Sequence, residues 1–319
     1  LFRFLLRYQF GLGKIMINKY LAAGTAATLL SASSAFALTV TNTNDATTLA
    51  AATLAASSGI TITGGQSLIG AATQQGTFSS FNLSPGTTGT GANLNLTDGI
   101  VLTSGLGNFS TTDNTVNNAA LFPGTGSFAP LVDLASTGGL NTTQNDSNVL
   151  SFDFVLDDPT DNAVSAQFVF ATDEFPSQSV TDIMGIFVNG VNFAVFPNGD
   201  LVSNQSGDPN SFFNQNPVGT DATTGYGIEW NGLTDVFNVN MLANGGGATN
   251  TIEIAIADTS DTIFDSALFF TNLKSGTSTG DGGIGPDPDP YVVPLPAGFP
   301  LMLAGLGALV AMRRKKKAT

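Results

Sequence analysis

The chain has 319 residues, of which 42% are hydrophobic and only 11% charged, with a formal net charge of −14. It contains no Cys and no His. Disulfides, thiolate metal sites, His-ligated zinc and His-based catalytic triads are therefore excluded. All 24 acids fall between Asp45 and Asp289, where the single base is Lys274. Binding of nucleic acid or of an anionic membrane surface by this region is disfavoured, because both need basic patches. Such acidity serves either cation binding or solubility through self-repulsion. Thr, Ser, Asn and 37 Gly take the place of the missing charge, the composition of an exported β-rich protein with many turns.

In chain order, residues 1–15 precede a natural Met start and read as a gene-model overextension. From Met16 the pattern is that of a secretory signal peptide, residues 16–37. Lys19 forms its basic region, Tyr20–Leu30 its apolar region, and Ala35-Phe36-Ala37 an A-x-A site. Sec export and cleavage by signal peptidase between Ala37 and Leu38 are expected.

A short helix is predicted over Ala46–Ala56 with Asp45 as its N-cap. A low-complexity stretch follows at Ser84–Asn93. After it the dominant hydrophobic period is two. In VLSFDFVL, Leu150, Phe152, Phe154 and Leu156 share a face, with Ser151 and Asp153 opposite. Ser165–Ala171 continues the pattern. Asn189-Gly190 between two apolar runs is a strong hairpin signal, and Asn198-Gly199 marks a second turn. In TIEIAIA, Ile252, Ile254 and Ile256 point inward, with Thr251 and Glu253 opposite. SALFFTNL reads as a buried strand. Short strands with this turn spacing predict an all-β domain over residues 38–274, a β-sandwich or jelly roll with one short N-terminal helix.

Five segments in this region carry a resemblance: TDGIVLTSG (97–105), LSFDFVL, FVFATDEFP, TDIMGIFVNG and IAIADTSDTIFDSALFF. In this order, over roughly Asp45 to Leu273, the series is similar to the choice-of-anchor L domain family of secreted bacterial proteins. The family takes its name from members that end in alternative surface anchors. One departure is the insert around residues 107–140, expected to be a variable surface loop.

Two acidic clusters follow strand ends. Asp173 and Glu174 close FVFA, with Asp182 eight residues after Glu174, and Asp258, Asp261 and Asp265 follow TIEIAIA. Loops at strand ends converge on one rim of a sandwich. Hard oxygen ligands at this density suit Ca²⁺, and several close carboxylates repel unless a cation intervenes. Alternatively, these Asp residues bond their own turn backbones. No EF-hand spacing is present. No catalytic residue is assigned, because no nucleophile–base pair or carboxylate pair is singled out. The competing function is a carbohydrate-binding or carbohydrate-active domain using Trp230, Tyr226 and Glu229 in GYGIEW, although Trp230 suits the core better.

Residues 275–290 read as a linker, flexible in its Gly/Ser/Thr half and extended in its Pro-Asp half. Residues 291–319 form a tail. Val293-Pro294-Leu295-Pro296-Ala297 leads into an uncharged run over 297–312, a candidate transmembrane helix. The stop is Arg313, Arg314, Lys315, Lys316 and Lys317, which stay cytoplasmic by the positive-inside rule. Motif, helix and basic tail together resemble the VPLPA variant of the PEP-CTERM sorting signal of Gram-negative bacteria. That resemblance implies an exosortase-type membrane protease as partner, inner-membrane anchoring, and then surface display or release. The combined expectation is a non-enzymatic structural or adhesive protein of the envelope or extracellular matrix, with extracellular polysaccharide as a possible partner.

Overall fold

Side chains alternate across a strand, so a two-residue apolar period demands a sheet with one face on a core. The computed structural model describes residues 38–108, 113–115, 126–176, 181–203 and 212–285. Ala35, Ala37, the VPLPA motif, the apolar run 297–312 and the basic tail lie outside the described residues. Among the described residues no helix is long and apolar enough to cross a membrane.

The first half of the domain runs β1 (Thr39–Asn42), α1 (Ala46–Thr53), β2 (Ile60–Ile69), β3 (Gln75–Ser79), β4 (Asn82–Leu83), β5 (Leu94–Asn95), β6 (Gly99–Thr103) and α2 (Ala129–Thr137). The second half opens with β7 (Gln144–Leu156), β8 (Ala163–Thr172), β9 (Ile183–Val188), β10 (Val191–Asn192) and β11 (Phe213–Gln215). It closes with β12 (Gly232–Thr234), β13 (Phe237–Leu242), β14 (Asn250–Thr259), β15 (Ser266–Gly276) and β16 (Gly283–Gly285). One sheet has the order β1-β3-β6-β15-β8-β12-β11, with β13 also pairing β8 and β16. A five-stranded sheet has the order β10-β9-β14-β7-β2. The described strand pairings are antiparallel, apart from an isolated parallel bridge between Leu54 and Leu273.

The inner faces of the two sheets share one core. Leu150, Phe152 and Phe154 of β7 and Ile252, Ile254 and Ile256 of β14 come from one sheet. Phe168 and Phe170 of β8 and Leu268 and Phe270 of β15 come from the other. This is an all-β, sandwich-like arrangement. Both outer faces are covered as well, which is why β8 and β9 are buried almost throughout rather than on alternate residues. The larger sheet carries Val101, Val169, Ala171 and Phe269 on its outer side, under Phe81, Leu94 and Trp230. The smaller sheet packs Val149, Phe187 and Ala255 against Leu131 and Ala135 of α2.

Local signals work as expected at α1, where the Asp45 carboxylate accepts from the Thr47 N–H at 3.1 Å and the Thr48 hydroxyl at 2.6 Å. The helix stops at Thr53, earlier than Ala56, because Ala55 donates its N–H to Leu273 O of β15 at 3.0 Å. Asn189 (φ 52°) and Gly190 (φ 80°) form the two-residue loop between β9 and β10. Two expectations are corrected. The insert read as a surface loop contains α2, with Pro130 in its first turn, so the described residues hold two short helices rather than one. The stretch read as linker adds β16 to the sheet, pairing Ile284 with Val239.

Phe152→Ala and Phe270→Ala each remove a fully buried ring from the shared core. Each should cost about 3–5 kcal/mol, read as a drop of roughly 6–20 °C in the thermal midpoint for a domain of this size.

Candidate functional site

The same alternation that builds the core continues past its apolar part. On six strands the inward column ends, at one rim, in a polar residue. On β6, Ile100 and Leu102 lead to Ser104, and on β15, Phe270 and Leu268 lead back to Ser266. On β8, Phe168 and Phe170 lead through Thr172 to Glu174. On β9, Val188, Ile186 and Met184 lead back to Asp182. On β14, Ile252, Ile254 and Ile256 lead to Asp258, and on β7, Phe154, Phe152 and Leu150 lead back to Asn148. A register shift between β14 and β7, where Asp146 has φ 49°, brings Asp146 close enough to act on Asp258. Glu174, Asp182 and Asp258 are at most 1% exposed, so the core is plugged at this end by acid.

Hydrogen bonds hold only part of these carboxylates. Asp182 N–H donates to Glu174 Oε2 at 2.9 Å, and the Ser266 hydroxyl donates to Asp182 Oδ2 at 2.5 Å. Ser104 extends the pairing of β6 with β15 at this rim, its Oγ accepting from Ser266 N–H at 2.9 Å. No donor among the described residues reaches Glu174 Oε1 or Asp182 Oδ1 when the acids are ionised, and at Asp258 only the nearby Ser104 hydroxyl and the Asp182 carboxyl come close, neither in full hydrogen-bonding geometry. A buried polar group left unmatched costs about 1–3 kcal/mol, and a charged one more. The only base between Asp45 and Asp289 is Lys274, near the opposite end of β8, paired in register with Ser165.

The electrostatics follow from that geometry. Burial pushes the Glu174 carboxyl up to about 8, and the like charges of Asp258 and Asp261 add to it. Burial raises Asp182 well above the carboxylate range, reinforced by Asp258 and Glu174. Asp258 is raised to about 7, again chiefly by burial, while the neighbouring Ser104 and Asp182 pull it back. A proton shared between Asp182 and Asp258 is one way to neutralise the pair.

Of the six acids singled out in the sequence, Glu174, Asp182 and Asp258 come together inside. Asp265 acts on Asp182 and is buried so tightly that a Cβ on Gly105 would overlap its carboxylate. Asp261 sits half-buried at the rim, its Oδ1 accepting from Ile263 N–H. Asp173 points to the other side of its strand, where it accepts from Asn231 N–H at 3.1 Å. Asp146, Ser104 and Asn148 belong to the plug and were not among the predicted residues. The parity of LSFDFVL, counted backwards to Asn148, was the signal for that position. As these side chains stand, no three acids among the described residues are disposed to hold a metal ion.

The carbohydrate alternative loses its surface. Trp230 is 0% exposed and Tyr226 2%, both packed on the outer face of the larger sheet, and Glu229 is buried with them. The Tyr226 hydroxyl donates to Ala92 O at 2.8 Å, so it closes over the low-complexity loop instead of facing a ligand.

The family model described as the choice-of-anchor L domain matches residues 38–275. Comparison with curated proteins and with solved structures returned no match.

Because Glu174 and Asp258 are raised in the fold, the native state binds more protons than the unfolded chain between about pH 4 and 8. In chelating buffer, stability should therefore fall as pH rises from 5 to 8. Asp45 and Asp158, held low by hydroxyl and amide donors, act oppositely only below about pH 4. Thermal melts in EDTA at pH 5 and pH 8 check this, and a higher midpoint at pH 8 would contradict it.

Proposed function

The chain belongs to the choice-of-anchor L family, a surface- and envelope-associated type of domain that is non-catalytic, and from that premise we propose that it is an exported structural or adhesive protein of the bacterial envelope or extracellular matrix. The signal peptide at 16–37 delivers it through the Sec system. The VPLPA segment, the apolar run 297–312 and the basic tail 313–317 hold it at the outer face of the inner membrane. An exosortase-type protease then cuts near Val293–Ala297, and the domain is displayed or released.

The observation that carries this reading is order. The export-signal pattern of residues 16–37 stops just before the matched domain begins at residue 38, and the VPLPA segment, the uncharged run and the basic residues follow that domain in the order such sorting would need. The domain itself supports a role as a displayed body. Among the described residues none of its aromatic side chains is exposed, and its acidity favours solubility outside the cell.

Intact mass and terminal sequencing of the exported protein test the proposal. The expected chain begins at Leu38 and lacks the residues beyond the VPLPA region. Replacing both Pro294 and Pro296 with alanine should leave full-length chain in the membrane fraction. A wild-type chain that retains residues through Thr319 would contradict processing.

A further inference from the structure

We propose that the acidic plug is a buried Ca²⁺ site held by Glu174, Asp182 and Asp258. The three side chains come from the ends of β8, β9 and β14, so both sheets contribute. Glu174 and Asp182 are each fixed through one carboxylate oxygen, by Asp182 N–H and by the Ser266 hydroxyl. Each keeps its second oxygen without a donor, and Asp258 has beside it only the Ser104 hydroxyl and the Asp182 carboxyl, neither in full hydrogen-bonding geometry. That is the pattern of ligands oriented by the protein through one atom and offered to an ion through the other. It is found at Glu174 and Asp182, and all three carboxylates are at 0–1% exposure.

The surroundings define the ion. Every candidate donor atom is a hard oxygen, which excludes soft metals. Asp146 and Asp261 add negative charge from the β7 and rim sides. The site lies in the interior, where Mg²⁺, which dehydrates reluctantly, is disfavoured. Ca²⁺ accepts irregular shells of six to eight oxygens, including carbonyls, amides and waters. Asn148 Oδ1, also without a donor, is a further oxygen of that kind. The acids are not disposed around one point as they stand, as expected for like charges that repel. The site therefore requires the Asp258 and Glu174 side chains to turn toward a shared cation when it binds. The inference is independent of the sorting proposal, since it concerns only the closed domain.

The test uses the mature exported protein, desalted for metal analysis and then dialysed against EDTA. Metal analysis before dialysis should read about one calcium per chain. CaCl₂ added after dialysis should raise the thermal midpoint by about 5–10 °C once it exceeds the dissociation constant roughly a hundredfold. MgCl₂ at the same concentration should give less than half that shift. Asp258→Asn and Glu174→Gln should each lose the calcium response. Because these variants remove a buried like charge, their midpoints in EDTA should equal or exceed that of the wild type. If Asp258→Asn fails to fold, Glu174→Gln carries the comparison. Calcium-free protein whose midpoint is unmoved by millimolar CaCl₂ would overturn the proposal, leaving protons as what neutralises the plug. Equal shifts with MgCl₂ would overturn the assignment to Ca²⁺.

Discussion

Carboxylates brought into one end of a sandwich whose single base among the described residues, Lys274, lies near the opposite end of β8 set the main constraint on this domain. Glu174, Asp182 and Asp258 sit at the inner ends of strands whose other inward residues are, apart from Thr172, apolar: Phe168 and Phe170, Met184, Ile186 and Val188, and Ile252, Ile254 and Ile256. Burial in such surroundings disfavours the charged form strongly. The charge must be cancelled by protons or by a cation, and the choice alters how the two sheets are joined at that rim. Ser104, Ser266 and Thr172 are there because the strand ends need donors and acceptors where the apolar columns stop. Gly105 is there because any side chain would collide with Asp265.

The fold was legible where a single physical signal dominated. Alternation at Leu150–Leu156 and Ile252–Ile256 gave both faces of β7 and β14 correctly. Asp45 and Asn189-Gly190 marked a helix start and a hairpin through their local chemistry. The helix α2 was not legible, because its Leu131 and Ala135 are apolar for a tertiary reason. They cover Val149, Ile183 and Ala255, an outer sheet face that alternation alone assigns to solvent. For β16, Gly283–Gly285 has no β-forming pattern beyond Ile284, and pairing with the free side of β13 supplies the strand.

The candidate site was half legible. Composition and strand-end placement picked out Glu174, Asp182 and Asp258 together, but a turn-like setting suggested exposed loops. Parity separates them instead: Asp258 continues Ile252–Ile256 into the core, whereas Asp173, one residue before Glu174, faces the opposite layer with Asn231. Asp146 depends on a register shift in β7, which no spacing rule reveals. Trp230 and Tyr226, the natural sugar platforms, fill the outer layer beside Phe269 instead. A domain whose described residues leave no aromatic side chain exposed suits a displayed body better than a cleft.

The central claim is that a divalent cation, rather than shared protons, neutralises the plug. The most direct measurement is a crystal structure of the domain grown in CaCl₂ with calcium anomalous data. The account predicts a single anomalous peak about 2.3–2.6 Å from oxygens of Glu174, Asp182 and Asp258. No peak at that rim, with Asp182 and Asp258 joined by a short hydrogen bond, would contradict it.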